Sequence, residues 1–536
     1  MSSVKILRIA SIIWLLFVAT IIQASEFNDL LKNEQSVSEF GQKTLSFNTT
    51  IDKLPLIGIN ASSVVFTQYG YTDQGLSALS STLNNSNINA VLVDLYWNDK
   101  YDGWQICPIS SETLTSTDDS IITFTSGNST LTCDMNLTLY QVFEAIPFNT
   151  DSNKTYIPNL TQILFNLHYL QTSNVSYSMA VTQSISEALK ETFGSALYSA
   201  TDYQNANYQY PTLYHFTIDS QKTIIPMLWM TDTSITNATS IETMALEKIV
   251  FMPNQSNFYL NYKQNLDPST IINNTALSID DFTNLATQSW KFTTTTLTNF
   301  TDLRNIMLTG YTSIISNGNI SNYTDINTIS WLWQESQPLD RKTVQVLVDN
   351  DQYVFQSQQG VLQAYQCAVL FQGGWYVENC YQAHFVACQS RSNESLWKIS
   401  TGKKSYFDAS KLCAGNDDEA SPQFNFSIPK TALAQTYLIN FAKEHSITEP
   451  IWIDYNAISR DSCWVTGGPN SLCPFENEDQ KHRFVGIVTP ISVFIVFVLS
   501  FNAITSSAQV PVQKNRKYWK ELVSDFTKNE YEGVPA

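Results

Sequence analysis

The chain is poor in charge. Asp, Glu, Lys and Arg make up 15% of its 536 residues, well below the roughly 25% of a typical soluble domain. Basic residues are the scarcer kind, 30 against 48 acidic, for a net charge of −18. A chain so short of cations offers no basic face for phosphate, which excludes direct binding of nucleic acid. Histidine is rarer still, five in all. There is no Cys-x-x-Cys pair, so a redox dithiol or zinc knuckle has no support. HExxH, GxSxG and GxxxxGKS/T are all missing, which removes the commonest peptidase, hydrolase and nucleotide-binding signatures. No tandem repeat is found. Nothing in the sequence calls for a cofactor or a metal.

Apolar residues are plentiful at 43%, with 12% aromatic, so the chain can bury a core. At roughly 100–200 residues per domain, two or three domains are expected. The apolar share is unevenly spread. Residues 1–24 read as a secretory signal: Lys5 and Arg8, an apolar run from Ile9 to Ile22, then Ala24 at the cleavage point. Phe484–Thr505 carries no charge over 22 residues and would be about 33 Å long as a helix, enough to span a bilayer. Lys514, Arg516, Lys517 and Lys520 follow it, the positive flank of a cytosolic side. The polar residues 506–536 exclude a lipid-anchor signal, which would end on its apolar tail. The tail holds five basic and four acidic residues, and the signal two basic ones. Taking these away leaves 23 basic and 44 acidic residues, a net charge of −21 on the lumenal side.

Asn-x-Ser/Thr occurs at Asn48, Asn60, Asn84, Asn128, Asn136, Asn153, Asn159, Asn174, Asn237, Asn254, Asn273, Asn299, Asn319, Asn322, Asn393 and Asn425, 16 sites in all, against about nine expected by chance. None lies in the signal, the apolar span or the tail. Glycans on these sites would supply the hydrophilicity that charge does not. The eight cysteines, Cys107, Cys133, Cys367, Cys380, Cys388, Cys413, Cys463 and Cys473, fall on the same side. In an oxidising compartment they read as disulfides. Proximity suggests Cys107–Cys133 and Cys463–Cys473, and leaves three pairings open for the other four.

Between residues 25 and 328 strand-like and helix-like pieces alternate, as in an α/β domain with parallel strands. A degenerate barrel is one form it can take. Asn89–Trp97 is a near-continuous apolar run, the mark of a strand buried on both faces. Thr223–Met230 is a second. Ile157–Leu170, Thr182–Leu197 and Leu297–Ser316 have helical spacing, and Ser110–Thr132, rich in Ser and Thr, reads as a loop closed by Cys107 and Cys133. From 329 to 478 Trp, Cys and Gly become frequent and the pieces short, as in a disulfide-stapled α+β unit.

Two resemblances add to this. The blocks WLWQESQPLD, CAVL, GGWYVENC and FVAC over 331–388 resemble the C-terminal half of a C-type-lectin-like domain. SYFDASKLC, FSIPKTALAQTYL and WIDYN over 397–456 resemble its N-terminal half, in reversed order. That resemblance implies Cys367–Cys380 and Cys388–Cys413. The lectin calcium motifs are altered here, to Gln337-Pro338-Leu339-Asp340 and Trp375-Tyr376-Val377-Glu378, and a packing module is expected in place of a sugar site. Over nearly the whole length, VLVDLYWN with GWQICP, the WLWQESQP to WYVENC block, WIDYN and DSCWVTGGPNSLCPF resemble the fungal single-pass glycoproteins called maintenance of telomere capping protein 6. This resemblance implies a role in capping and no known active site.

Asp94, inside the strongest strand, is the one catalytic candidate, since a carboxylate there needs a partner or a task. His168 lies in a helical pattern and His215 follows aromatics, neither with a partner in a known motif. Trp97, Asn98, Trp104 and Gln105 are expected to pack. The expectation is a non-enzymatic, integral type I membrane glycoprotein of the secretory pathway, in the endoplasmic reticulum or beyond. It would act on capping indirectly, through other membrane or secretory proteins. A secretory glycosidase or phosphodiesterase-like enzyme and a carbohydrate-binding surface protein are the alternatives.

Overall fold

Strands buried on both faces need cover on both faces, and the structure supplies it with a curved parallel sheet. The computed structural model describes most of residues 44–473, leaving out chiefly 148–159, 171–183, 232–247, 261–288, 319–331 and 414–422, and beyond it only Val496, Ser500 and 512–529. The strands are β1 (Leu56–Asn60), β2 (Ala90–Asn98), β3 (Gly103–Gln105), β4 (Leu114–Asp118), β5 (Ile121–Ser126), β6 (Ser129–Asp134), β7 (Thr161–Leu170), β8 (Ile224–Thr231), β9 (Phe258–Leu260), β10 (Ser289–Thr295) and β11 (Ser313–Ser316). The main sheet runs β8-β7-β2-β1-β11-β10-β9, with β3 turned back antiparallel on β2. Every other neighbour pair is parallel. The first strand thus lies beside the last, the closure that defines a β/α barrel. Among the described residues no ladder joins β8 to β9, and the free edge of β8 carries two isolated parallel bridges, Ile224 to Leu197 and Met227 to Phe251.

Strand alternation sorts the side chains. Leu56, Ala90, Leu92, Leu164, Met227, Phe292 and Ile315 belong to one apolar cluster on the concave side. Ile59, Val91, Val93, Ile163, Phe165 and Ile314 belong to a second. That outer cluster includes Leu79 and Leu83 of α1 (Asp73–Asn85), Val142 and Phe143 of α2 (Leu139–Glu144), Leu189 of α3 (Ile185–Phe193) and Ile306 of α4 (Phe300–Leu308). Helix starts are set locally. Thr138 and Gln141 form a reciprocal cap on α2, and the Ser184 hydroxyl accepts from the Glu187 amide on α3.

The outer cluster continues into a second sheet. Its strands are β12 (Tyr365–Phe371), β13 (Gly374–Asn379), β14 (Phe385–Ser390), β15 (Trp397–Ile399), β16 (Phe424–Phe426) and β17 (Ile451–Asn456), in the order β13-β12-β17-β14-β15 with β16 on β14. Helices α5 (Arg341–Asp349) and α6 (Ala432–Glu444) accompany it. Trp333, Trp375, Tyr455 and Trp464 form an aromatic knot, with Trp333 and Trp464 centroids 4.8 Å apart. Arg304 of α4 donates to Gln334, and the Thr436 hydroxyl of α6 donates to the Leu308 carbonyl. The division expected at 328/329 is therefore a change of sheet, because residues 34–471 make one compact unit. Cys107–Cys133, Cys367–Cys380 and Cys388–Cys413 are bonded, and Cys463 and Cys473 are disulfide-bonded too. The remaining unit, residues 1–33 and 472–536, is described chiefly by the helix α7 (Val512–Asn529).

Three local expectations are corrected. Ile157–Leu170 holds a strand, β7, where helical spacing was read. Its run Ile163-Leu164-Phe165 is buried on both faces of the sheet, and such a run satisfies either period. Leu297–Ser316 is a helix only to Leu308 and ends in β11. Ser110–Thr132 contains an antiparallel ribbon, β4-β5-β6, because Thr alternates there with apolar Ile122, Phe124 and Leu131, a strand-favouring pattern. The predicted signal lies outside the described residues, as does the 484–505 span apart from Val496 and Ser500. Among the described residues no helix is long and apolar enough to cross a membrane.

Gly58 marks where β1 and β2 approach most closely. A Cβ there would lie 2.5 Å from the Ala90 carbonyl oxygen and 2.6 Å from Ile315 Cδ1. Gly58→Val should cost about 1–3 kcal/mol by overpacking, read as a lower midpoint in denaturant unfolding. An unchanged midpoint would refute the close approach.

Candidate functional site

The register of β2 and β7 assembles the site. Asp94 sits opposite Asn166, and Tyr96 opposite His168. Alternation puts all four on the concave side, past the apolar layer of Leu92 and Leu164 and toward the C-terminal strand ends, where barrel enzymes hold their active sites. Asn166 Nδ2 donates to Asp94 Oδ1 at 2.7 Å, and His168 Nε2 lies 3.0 Å from the same oxygen. The His168 ring stacks on Tyr96, centroids 4.8 Å apart. The turn after β1 brings in Ser62, which hydrogen-bonds Asp94 and Tyr71.

Burial alone would raise the Asp94 carboxyl. Hydrogen bonds from His168, Ser62 and Asn166, with the charge of His168, outweigh it and hold the group below the usual carboxylate value. Tyr71 is pushed up to about 12, first by burial and further by the Asp94 charge, with Ser62 opposing. The result is an ionised carboxylate that orients an imidazole 28% exposed to solvent. Such a pair can hold or move a proton.

Beside it, Asn60 at the end of β1 donates from Nδ2 to Asn317 Oδ1 at 3.2 Å, while its Oδ1 accepts from the Ser62 and Ser63 amides. Asn60, one of the expected glycosylation sites, is thus half-buried with both ends of its amide engaged. Asn48, Asn84, Asn136, Asn393 and Asn425 are exposed, and the other ten sequons lie outside the described residues.

His168 was expected in a helix without a partner; the structure corrects both points. His215 also has a partner, Asp219, 3.1 Å away on the surface. Trp97, Asn98, Trp104 and Gln105 pack: the indoles meet edge to face, and Asn98 Nδ2 donates to Gln105 Oε1 at 2.8 Å. Sequence reasoning missed Asn166, Ser62 and Tyr71. Reading Gln162, Leu164, Asn166, His168 and Leu170 with a period of two would have placed three polar residues on one strand face.

The altered lectin motifs hold no ligand-ready cluster. Asp340 caps α5, accepting from the Lys342 and Thr343 amides at 3.0 Å. Buried Glu378 lies 3.5 Å from His384. Trp375 is wholly buried and donates to Gln435, so it cannot stack on an external sugar. Among the described residues no group of His, Cys, Asp and Glu is placed to hold a metal. A cavity of about 200 Å³ lies at the other end of the strands, lined by Lys53, Lys291, Gly310, Thr312 and Tyr437.

The Asp94 pair carries a pH signature. A depressed carboxyl adds stability above its unfolded value, about pH 3.9, and loses it as pH falls through the lower folded value. Asp94→Asn should cost about 1–3 kcal/mol at pH 7 and flatten the loss of stability on acidification below about pH 4. Denaturant midpoints across that range check it, and an unaltered acid slope would rule out the ionised pair.

A family model, the MTC6 partial TIM-barrel domain, matches residues 31–333. Three similar relatives are called maintenance of telomere capping protein 6. The one from Candida albicans strain WO-1 is 26% identical, over 95% of each chain. That from Zygosaccharomyces rouxii is 27% identical, over 92% of this chain and 91% of the relative. That from Lachancea thermotolerans is 28% identical, over 97% and 98%. Among solved structures, a calcium-dependent phosphoinositol-specific phospholipase C from Pseudomonas is similar at a TM-score of 0.29 and 12% identity. It covers 51% of this chain and 91% of its own, a likeness too loose to bear on chemistry. With an eight-stranded α/β sheet whose first strand pairs its last, and a match over more than half its length, the chain belongs to the MTC6 partial TIM-barrel family.

Proposed function

We propose that the chain is a single-pass type I membrane glycoprotein of the secretory route which supports telomere capping indirectly, through other membrane or secretory proteins, without catalysis of its own. The observation that supports this most is that all eight cysteines are disulfide-bonded. Disulfides persist in oxidising compartments and are rare where telomeres are. The net charge of −21 between the two apolar segments agrees, since such a surface repels DNA. The five exposed sequons support a glycosylated surface. The second sheet, with its two helices and two internal disulfides, supports the reading of a packing module that buttresses the barrel. N-glycosidase digestion with protease protection of a C-terminally tagged chain tests the topology: a mass drop and loss of the tag alone are expected. Tight binding of telomeric DNA by the purified chain at physiological salt would overturn it.

A second reading rests on the Asp94–His168 pair. An oriented imidazole at a barrel mouth suits a hydrolase that protonates or deprotonates a glycosidic or phosphodiester oxygen. The two readings part on His168→Gln. If the barrel is a scaffold, a variant that folds and reaches its compartment restores the capping phenotype of a deletion strain. If it is an enzyme, rescue fails although secretion and disulfides are normal.

A further inference from the structure

Helix α7 presents an apolar stripe to solvent. Trp519 is 61% exposed, Val523 60% and Phe526 70%. At 100° per residue, Trp519, Leu522, Val523 and Phe526 fall within one arc of about 100°. Exposed Arg516, Lys517 and Lys520 lie in the helix's first half, while Glu521 and Asp525 follow on the opposite arc. Eighteen residues make about 27 Å of helix, yet the helix is too polar to cross a bilayer. A basic helix with one strongly apolar face is built to lie in an interface instead. The expected membrane span ends at Thr505, seven residues before Val512.

We propose that α7 lies flat on the anionic leaflet where the span emerges, with Trp519, Leu522, Val523 and Phe526 among the acyl chains and Arg516, Lys517 and Lys520 against lipid phosphates. This rests on the membrane-anchored reading above and adds a second, peripheral contact to it. The lipid surface is favoured over a protein groove because the cations cluster at the end nearest the expected span, where a basic segment meets the anionic headgroups of the cytosolic leaflet.

The full chain supplies its own probe chemistry. With all eight native cysteines bonded, an introduced cysteine is the one free thiol. Single variants Trp519→Cys, Val523→Cys, Phe526→Cys, Lys517→Cys and Ser524→Cys are labelled with an environment-sensitive dye and reconstituted in phosphatidylcholine vesicles with or without phosphatidylserine. Blue-shifted emission, quenched by spin-labelled lipid, is expected at 519, 523 and 526 and not at 517 or 524. The contrast should weaken without phosphatidylserine and in high salt. Labels equally wet on both faces, in a chain that resists carbonate extraction, would overturn the helix proposal and leave the anchor standing. Release by carbonate would sink the anchor and the proposal with it. Protection of the apolar face in native membranes but not in vesicles would assign the stripe to a protein partner, against the proposal.

Discussion

The double burial of β2 and β7 is the constraint on which the rest depends. Both strands are covered on two sides, by the concave cluster around Leu92 and Leu164 and the outer cluster around Val93 and Phe165. Parallel strands are stable only with such cover. The demand for an outer layer explains α1 to α4, and the same layer runs on into the second sheet through Arg304, Gln334 and the Trp333 knot. The second sheet is part of the barrel's cover, which is why residues 34–471 form one unit.

Where the apolar layers end, the same pairing brings polar groups together. Asp94 would be costly in a dry strand, and it is tolerable because β7 delivers Asn166 and His168 and the β1 turn delivers Ser62. A carboxylate so satisfied can be a structural post or can orient a base. Its place at the C-terminal strand ends is what makes the second use chemically sensible. The lectin-type positions show the opposite outcome. Asp340, Trp375 and Glu378 are each committed to a cap, a buried indole contact or a half-buried histidine.

The scarcity of charge has a matching physical account. Among the described residues few ion pairs hold the surface, and the fold rests on disulfides and buried aromatic clusters. In the last helix cations gather beside an apolar stripe that water alone covers poorly.

The sequence by itself determined composition, the strands at 89–97 and 223–230 and the α/β class, because these depend on local runs and on periodicity. It misread Ile157–Leu170 because an apolar run buried on two faces has no period of its own. With that strand unread, His168 stayed apart from Asp94, and Ser62 and Tyr71 had no reason to be noticed. Only the tertiary structure decided which residues meet. Register between β2 and β7 is a long-range choice, made by how well the two faces pack, and a shift of one residue would send Asn166 and His168 into the outer core and dissolve the site.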